Sequence, residues 1–212
     1  GAIPSLLSAG GSYIGIGLDT QTSTQVGNGA TLQYRGDLEL SAVSDVDVAA
    51  TALMKSGSIA GPYALAVTDI LVDSDALVEI GTDAKISANN LTIKADNQID
   101  VTPYSGQAVL ADAKGRADIA GAYSTAISRV NIGTAADNSI AHVRVGSDAL
   151  LHAGNILSIA AIEHSENDSL LSLSRAKSDA GTFAATATAS AEGSVRADSK
   201  VQIGGTFEAE KG

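Results

Sequence analysis

The chain has 212 residues, of which 44% are hydrophobic and only 3% aromatic, with no Cys, no Trp and one Met. Alanine accounts for 37 residues, and such small side chains cannot fill a thick globular core at the packing density of protein interiors. The absence of Cys excludes disulfides, thiol catalysis and Cys-ligated zinc. A net charge of −11 with scattered single Lys and Arg residues argues against a nucleic-acid partner. We therefore expect a thin core that repeats along an axis.

The N-terminal segment does not have the pattern of a targeting segment. Residues 1–18 are uncharged, but four glycines interrupt them and no basic residues precede them, so they do not form a signal peptide. No uncharged apolar run approaches the roughly 20 residues that a membrane span needs. Because the chain starts without Met, we expect a processed product or a segment of a longer protein.

A Gly-x-aromatic signature occurs four times along the chain. Its aromatic residues are spaced by 50, 60 and 60 residues, at Tyr13, Tyr63, Tyr123 and Phe183. This predicts four super-repeats of 50–60 residues in a single elongated domain, residues 1–212. We expect the signature glycines Gly61 and Gly121 at a bend, with the aromatic side chains stacked near equivalent corners.

A second block of nine residues follows each signature, and its copies align without gaps. The copies are residues 26–34, 80–88, 145–153 and 195–203. Turn-forming residues such as Asn89-Asn90 and Gly154-Asn155 come next, and they tolerate positive φ at a corner. An alternating strand then begins at Leu38, Leu91, Leu157 and, in a shortened last copy, Phe207.

The hydrophobic pattern predicts strands throughout. Apolar and polar residues alternate with period two, as in residues 45–48 and 142–145, which indicates strands rather than helices. In the segments that follow the signatures, which we call arms, small and weakly polar residues occupy both sets of alternating positions. The pattern therefore does not show which face of each arm is buried. The repeat and the thin-core composition favour a β-solenoid over a sandwich or a barrel. At roughly 20 to 30 residues a coil, each super-repeat predicts about two coils.

The repeat resembles a known family. Residues 78–95 follow the pattern V-x-I-G-x-x-A-x-I-x-A-x-x-L-x-I-x-A. This pattern is similar to the repeats of the large filamentous adhesins of Gram-negative bacteria, the filamentous-haemagglutinin-like and leukotoxin-type exoproteins. The resemblance covers nearly the whole chain as repeat texture. It implies a right-handed parallel β-helix, export by a type V route and a role at the cell surface.

Acidic pairs are the candidate metal ligands. Carboxylates at i and i+2 of a strand point to one face and could share a calcium ion. The weak candidates are Asp45 with Asp47 and Asp73 with Asp75, to which the pair Asp96 and Asp100 is added. No calcium-binding loop or β-roll nonapeptide surrounds them. The competing interpretation, which we favour, is that these residues are solvated strand or turn positions.

The three histidines do not indicate a catalytic site. His142 and His152 fall on alternating strands and are expected to face solvent, whereas His164 lies in a polar corner and could assist a metal. No G-x-S-x-G nucleophile motif is present. A sugar-cleaving site would also need basic residues beside clustered acids. We therefore expect no catalytic residues, no enzymatic activity and no cofactor.

These observations predict a structural protein. We expect an extracellular segment of an adhesin stalk or a subunit of a self-assembling filament, secreted or held at the bacterial cell surface. Its partners would be other copies of itself, through end-to-end strand pairing, or ligands on host or neighbouring cells. The alternative is a polysaccharide-active enzyme or a calcium-dependent carbohydrate-binding module on the same scaffold.

Overall fold

The computed structural model describes residues 8–102, 110–164, 173–180 and 184–210. Within these ranges the chain is all-β and contains no helix, as the period-two pattern predicts. The strands are β1 (Ala9–Val26), β2 (Thr31–Gln33), β3 (Asp37–Ala49), β4 (Ala52–Ala60), β5 (Tyr63–Ile80), β6 (Lys85–Thr102), β7 (Ala111–Ala120), β8 (Ala122–Ile132), β9 (Ser139–Val145), β10 (Leu150–His164), β11 (Ser174–Ala180), β12 (Ala185–Val195), β13 (Ala197–Ile203) and β14 (Thr206–Ala209).

The strands form three sheets, and every pairing is parallel. Sheet A contains β1, β5, β8, β9, β12 and β13; sheet B contains β2, β3, β6, β10 and β14; sheet C contains β4, β7 and β11. The chain visits the sheets in the order A, B, C, and then returns to A beside the strand that it left. We call each such passage a circuit. The first runs from β1 to β4, the second from β5 to β7, the third from β8 to β11, and the fourth from β12 to β14.

One circuit uses a whole super-repeat, so the expectation of two coils for each super-repeat is wrong. Paired residues are separated by 53 residues for Asp37 and Asn90 and by 66 for Asn90 and Ile156. The reason is strand length. Strands β1 and β5 of sheet A and β6 of sheet B each have 18 residues, so the two long sides of a circuit use the residues that a second short coil would need.

The block alignment is confirmed for three copies and wrong for the fourth. Val26 pairs with Ile80, and Ile80 pairs with Val145, as the gapless alignment predicts. We call residues that pair with one another through successive circuits a column. Val195 instead pairs with Ile132, and Ile203 pairs with Val145 and so continues the column of Val26 and Ile80. The fourth copy therefore begins at Ile203. The last strand is shifted accordingly, because Phe207 pairs with Leu151 rather than with Leu157.

The signature aromatics are aligned only in part. Tyr63 pairs directly with Tyr123, as predicted, and both side chains are exposed. Tyr13 pairs with Val67, four residues beyond Tyr63, because the first two circuits are offset by 54 residues rather than 50. Phe183 lies outside the described residues.

The predicted bends are confirmed at Gly61 and Gly121, whereas Gly11 lies within β1. Gly61 and Gly121 adopt positive φ angles of 63° and 68°, which only glycine tolerates easily. The corner between sheets A and B lies within the nine-residue block, where Asp83 and Asp148 both have a φ of 58°. Strand β6 continues through the predicted corner at Asn89-Asn90, where its buried side changes from Ile86 and Ala88 to Leu91. In the first circuit the chain does break at the equivalent place, between β2 and β3.

Alternate side chains of each strand point into the space between the sheets. Along β5 all even-numbered residues from Ala64 to Ile80 are buried. The buried apolar residues at the contact between sheets A and C are all alanines, such as Ala64 and Ala66 opposite Ala111 and Ala113, with Ile14 and Met54 packed against them. The small size of the alanines lets the two sheets approach closely. Larger residues such as Ile70 and Ile93 fill the wider space between sheets A and B.

Candidate functional site: an acidic face and a buried polar seam

The four calcium candidates lie on the outer faces of two different sheets. Asp45 and Asp47 are exposed on one face of β3. Asp73 and Asp75 are half-buried on the outer face of β5, opposite the buried side chain of Ser74. Each pair shares a face, as the spacing of two residues predicts.

Electrostatic repulsion is concentrated around Asp73 and Asp75. Burial raises the pKa of Asp73, and the charges of Asp137 and Asp19 raise it further. Burial also raises the pKa of Asp75, followed by the charge of Asp73. The amide of Ile140 donates to Asp75 Oδ1 at 3.3 Å and offsets part of this effect. We call these four carboxylates, Asp19, Asp73, Asp75 and Asp137, the acidic face.

The other acidic pair is already engaged. Asp96 contacts Lys94 Nζ at 2.5 Å and His164 Nδ1 at 3.3 Å, and Asp100 accepts a hydrogen bond from Gln98 at 3.0 Å. In the described ranges no three His, Cys, Asp or Glu side chains come together as a set that could hold a metal ion. A calcium site remains a prediction that rests on carboxylate pairs.

The histidines bind carboxylates. His142 is on the outer side of β9, but it is covered rather than solvent-facing, and its Nε2 lies 3.0 Å from Asp198 Oδ2. His152 is half-buried and lies 3.5 Å from Glu208. The predicted solvent exposure of His142 is wrong because parallel stacking places β13 directly beside β9.

A line of polar side chains crosses the apolar core between sheets A and B. On sheet B, Ser44 pairs with Asn97, and Asn97 pairs with Glu163. These side chains interrupt the inward-facing apolar rows and separate two hydrophobic clusters. We call the whole set the polar seam. Its members are Thr20, Ser44, Ser74, Asn97, Ser139 and Glu163.

Asn97 is the centre of the seam, and it is completely buried. Its Nδ2 donates to the Ser74 carbonyl at 2.6 Å and to Ser139 Oγ at 2.9 Å. Its Oδ1 accepts from Ser74 Oγ at 2.7 Å. Ser139 Oγ in turn donates to the Ser74 carbonyl at 2.6 Å. A buried amide normally needs such partners, since an unpaired one costs about 1–3 kcal/mol.

The seam continues toward the first circuit. Ser44 Oγ lies 2.8 Å from Ser74 Oγ, and Thr20 Oγ1 donates to the same Ser74 oxygen at 3.1 Å. Hydrogen bonds therefore join the first three circuits through the core. They add to the backbone ladders, which run along the same direction.

Sequence reasoning missed the seam, although the repeat contains a signal for it. Ser44, Asn97 and Glu163 each fall at an inward position of an alternating strand, six residues after Leu38, Leu91 and Leu157. Polar residues at the same place in three successive copies indicate a shared buried network. The signal can be recognised only when it is known which face of each strand is buried.

Glu163 is the seam's ionisable member. Both of its carboxyl oxygens are buried. Burial raises the pKa of Glu163 from 4.5 to about 7. The Ser139 hydroxyl and the Asp198 backbone oppose this change, whereas the charges of Asp198 and Asp75 reinforce it. Glu163 is therefore a carboxyl group whose ionisation falls near neutral pH.

Comparisons of the chain with protein-family profiles, with curated proteins and with solved structures find no match. The part of the chain that the structure describes contains no helix long and apolar enough to cross a membrane.

Proposed function

We propose that the repeated circuit is a right-handed parallel β-helix and that the protein is a non-enzymatic structural or adhesive segment outside the cell. It is either part of the stalk of a bacterial surface adhesin or a subunit of a self-assembling filament. The observation that carries the proposal is the continuous parallel register of the three sheets through successive circuits. Such stacking gives length and stiffness by nearest-neighbour contacts alone. The resemblance of the repeat to filamentous adhesins agrees with this role.

The ends of the stack support association between copies. Within the described residues β1 pairs only with β5, β12 only with β8, and β14 only with β10. Each of these strands has one open edge, which is a template for another parallel strand. Val195 and Ile203, which continue buried columns, are 54% and 50% exposed in the fourth circuit.

The register predicts how two copies would meet. If the next copy adds its first circuit in the same register, Ile203 of one copy lies opposite Val26 of the other. Gln202 then lies opposite Gln25, and Phe207 lies opposite Leu32. The same register places Asp198 opposite Gln21, so these columns bring no like charges together. The contact would use β12, β13 and β14 of one copy and β1 and β2 of the next.

Sedimentation velocity and electron microscopy of the purified chain test self-assembly. We expect concentration-dependent linear oligomers, which Ile203→Ser weakens by removing an apolar side chain from the contact. Leu71→Ser is the matched control, because Leu71 is 38% exposed on the lateral face of the second circuit. A chain that stays monomeric at high concentration overturns the filament proposal and leaves the stalk proposal.

A second candidate function is a calcium-dependent carbohydrate-binding module. The acidic face favours it, since a bound cation would offset the burial and the like charges that raise the pKa of Asp73 and Asp75. Calcium that binds the folded state would raise the melting temperature, and Asp73→Asn would reduce this shift while Asp45→Asn would not. No shift with calcium, or an equal shift in both variants, excludes a site on the acidic face.

A further inference from the structure

The polar seam ends at a buried carboxyl group that faces the fourth circuit. Glu163 is on the inward side of β10, beside Asn97 of β6. Strand β13 lies next to β9, with Ala197 paired to Ser139 and Asp198 paired to Ile140. Strand β10 also contacts β13 directly. The Glu163 carboxyl group is therefore enclosed in part by the last circuit.

The burial of Glu163 favours its neutral form, because neither of its buried carboxyl oxygens has a hydrogen-bond partner within the described residues. Ser139 Oγ donates its only proton to the Ser74 carbonyl at 2.6 Å and accepts from Asn97 at 2.9 Å. A bond from this hydroxyl to a Glu163 carboxylate would compete with its bond to the Ser74 carbonyl, so it offsets the burial only in part. An unpaired buried carboxylate is far more costly than a neutral carboxyl group.

The charged groups around this position also oppose ionisation. The charges of Asp198 on β13 and Asp75 on β5, both on the outer side of sheet A, reinforce the rise in the pKa of Glu163 that burial causes. Asp198 is held on the outer side by His142 of β9 at 3.0 Å. On β6, Asp96 is occupied by Lys94 and His164.

We propose that Glu163 is a pH-dependent latch, which in its neutral form holds the fourth circuit against the third and on ionisation releases it. The fourth circuit is the part that can yield, because within the described residues its strands pair on one side only and their inward side chains are partly exposed. Opening β13 admits water to the carboxylate at little cost in buried apolar surface. Any contact made through β12–β14, including association between copies, would follow the same pH dependence.

The direction of the effect follows from proton linkage. The pKa of Glu163 is about 7 when the latch is closed and 4.5 in water, so the open form loses its proton first as pH rises. The closed form is favoured fully below pH 4.5, and this preference is lost between 4.5 and about 7. The opening equilibrium should rise about 20-fold between pH 5.5 and 7.5 and then level off.

Hydrogen–deuterium exchange of the full chain, corrected for intrinsic rates, tests the latch. We expect peptides from β12–β14 to lose protection over this pH range, while peptides from β5 keep theirs. In Glu163→Gln, a neutral group of nearly the same shape, the fourth circuit should stay protected across the range. Protection that does not depend on pH in the unmodified chain, or a pH dependence that persists in Glu163→Gln, overturns the proposal.

Two further variants separate Glu163 from its neighbours. Asp198→Asn removes a charge that opposes ionisation, so the transition should move to lower pH, and this result does not require Glu163 to be changed. His142→Gln tests the histidine that binds Asp198, and the transition should survive there. A transition that disappears in His142→Gln, or that stays at the same pH in Asp198→Asn, assigns the proton to another group and overturns the latch.

Discussion

At the scale of single residues, the face of the strand on which a side chain lies decides whether it contributes to the core. Asn97 and Gln98 are adjacent amides on β6, yet Asn97 is completely buried in the seam and Gln98 is on the outer face. A buried amide is stabilising only while all its partners are present. Asn97 therefore contributes to stability through Ser74 and Ser139 rather than by itself.

Asn97→Ala should destabilise the protein by about 2–4 kcal/mol, because it leaves the Ser74 and Ser139 groups unpaired and opens a cavity. Urea unfolding followed by circular dichroism measures the change. Asn89→Ala, at an exposed position of the same strand, is the matched control and should change stability by less than about 0.5 kcal/mol. Equal effects in the two variants would contradict a network centred on Asn97.

Glycine at the corner between sheets A and B is required by the close approach of successive circuits. A Cβ at Gly146 would lie 2.6 Å from the amide nitrogen of Thr82. Because this contact is with backbone, the chain cannot relieve it by a rotamer change. Gly17 is on β1, and a Cβ there would meet no atom within 4 Å.

Gly146→Ala should lower the free energy of unfolding by roughly 1–3 kcal/mol through overpacking, whereas Gly17→Ala should be neutral or slightly stabilising. Thermal unfolding of both variants checks this pair. A Gly146→Ala variant as stable as Gly17→Ala would show that the circuits can separate locally without cost.

At the scale of elements, protection should follow the number of paired edges. Strands β5 and β6 pair along both edges. In the described part of the chain, β1 and β12 pair along one edge only. Amides that point to an open edge exchange through local fluctuation rather than through global unfolding.

We expect amide exchange to be slowest in β5 and β6 and faster by orders of magnitude in β12 and β14. Exchange at one fixed pH, resolved to peptides, measures this gradient independently of Glu163. Uniform protection through all strands would indicate that the open edges are covered in solution. Self-association through β12–β14 would cover these edges. In that case dilution would separate the copies and restore the difference in exchange rate between the inner and the outer strands.

At the scale of the whole molecule, stability is distributed along the stack of circuits. Val72, Ile132 and Val195 occupy successive places in a single column. Val72 is completely buried, whereas Val195 is 54% exposed. Because each circuit contacts only its neighbours, the same side chain contributes more to the free energy of unfolding when circuits cover it on both sides than on one.

Val72→Ala should cost about 2 kcal/mol, and Val195→Ala should cost less than about 0.5 kcal/mol. Chemical denaturation of the two variants provides a matched test, since residue type, column and substitution are identical. A large effect of Val195→Ala would show that the fourth circuit is covered in solution.

Local sequence determined the strands, the parallel alignment of three blocks and the bends at Gly61 and Gly121, because period-two alternation, gapless repetition and glycine act over a few residues. The tertiary structure decided the length of a circuit, the alignment of Tyr13 and Val195, and the inward face of each arm. These depend on partners 53 to 66 residues away, and both faces of the small-residue arms look alike before the sheets close. The seam belongs to the same class. Ser44, Asn97 and Glu163 are ordinary polar residues in the sequence. Only the packing of sheets A and B brings them together, and it joins Ser44 to Asn97 by hydrogen bonds through Ser74.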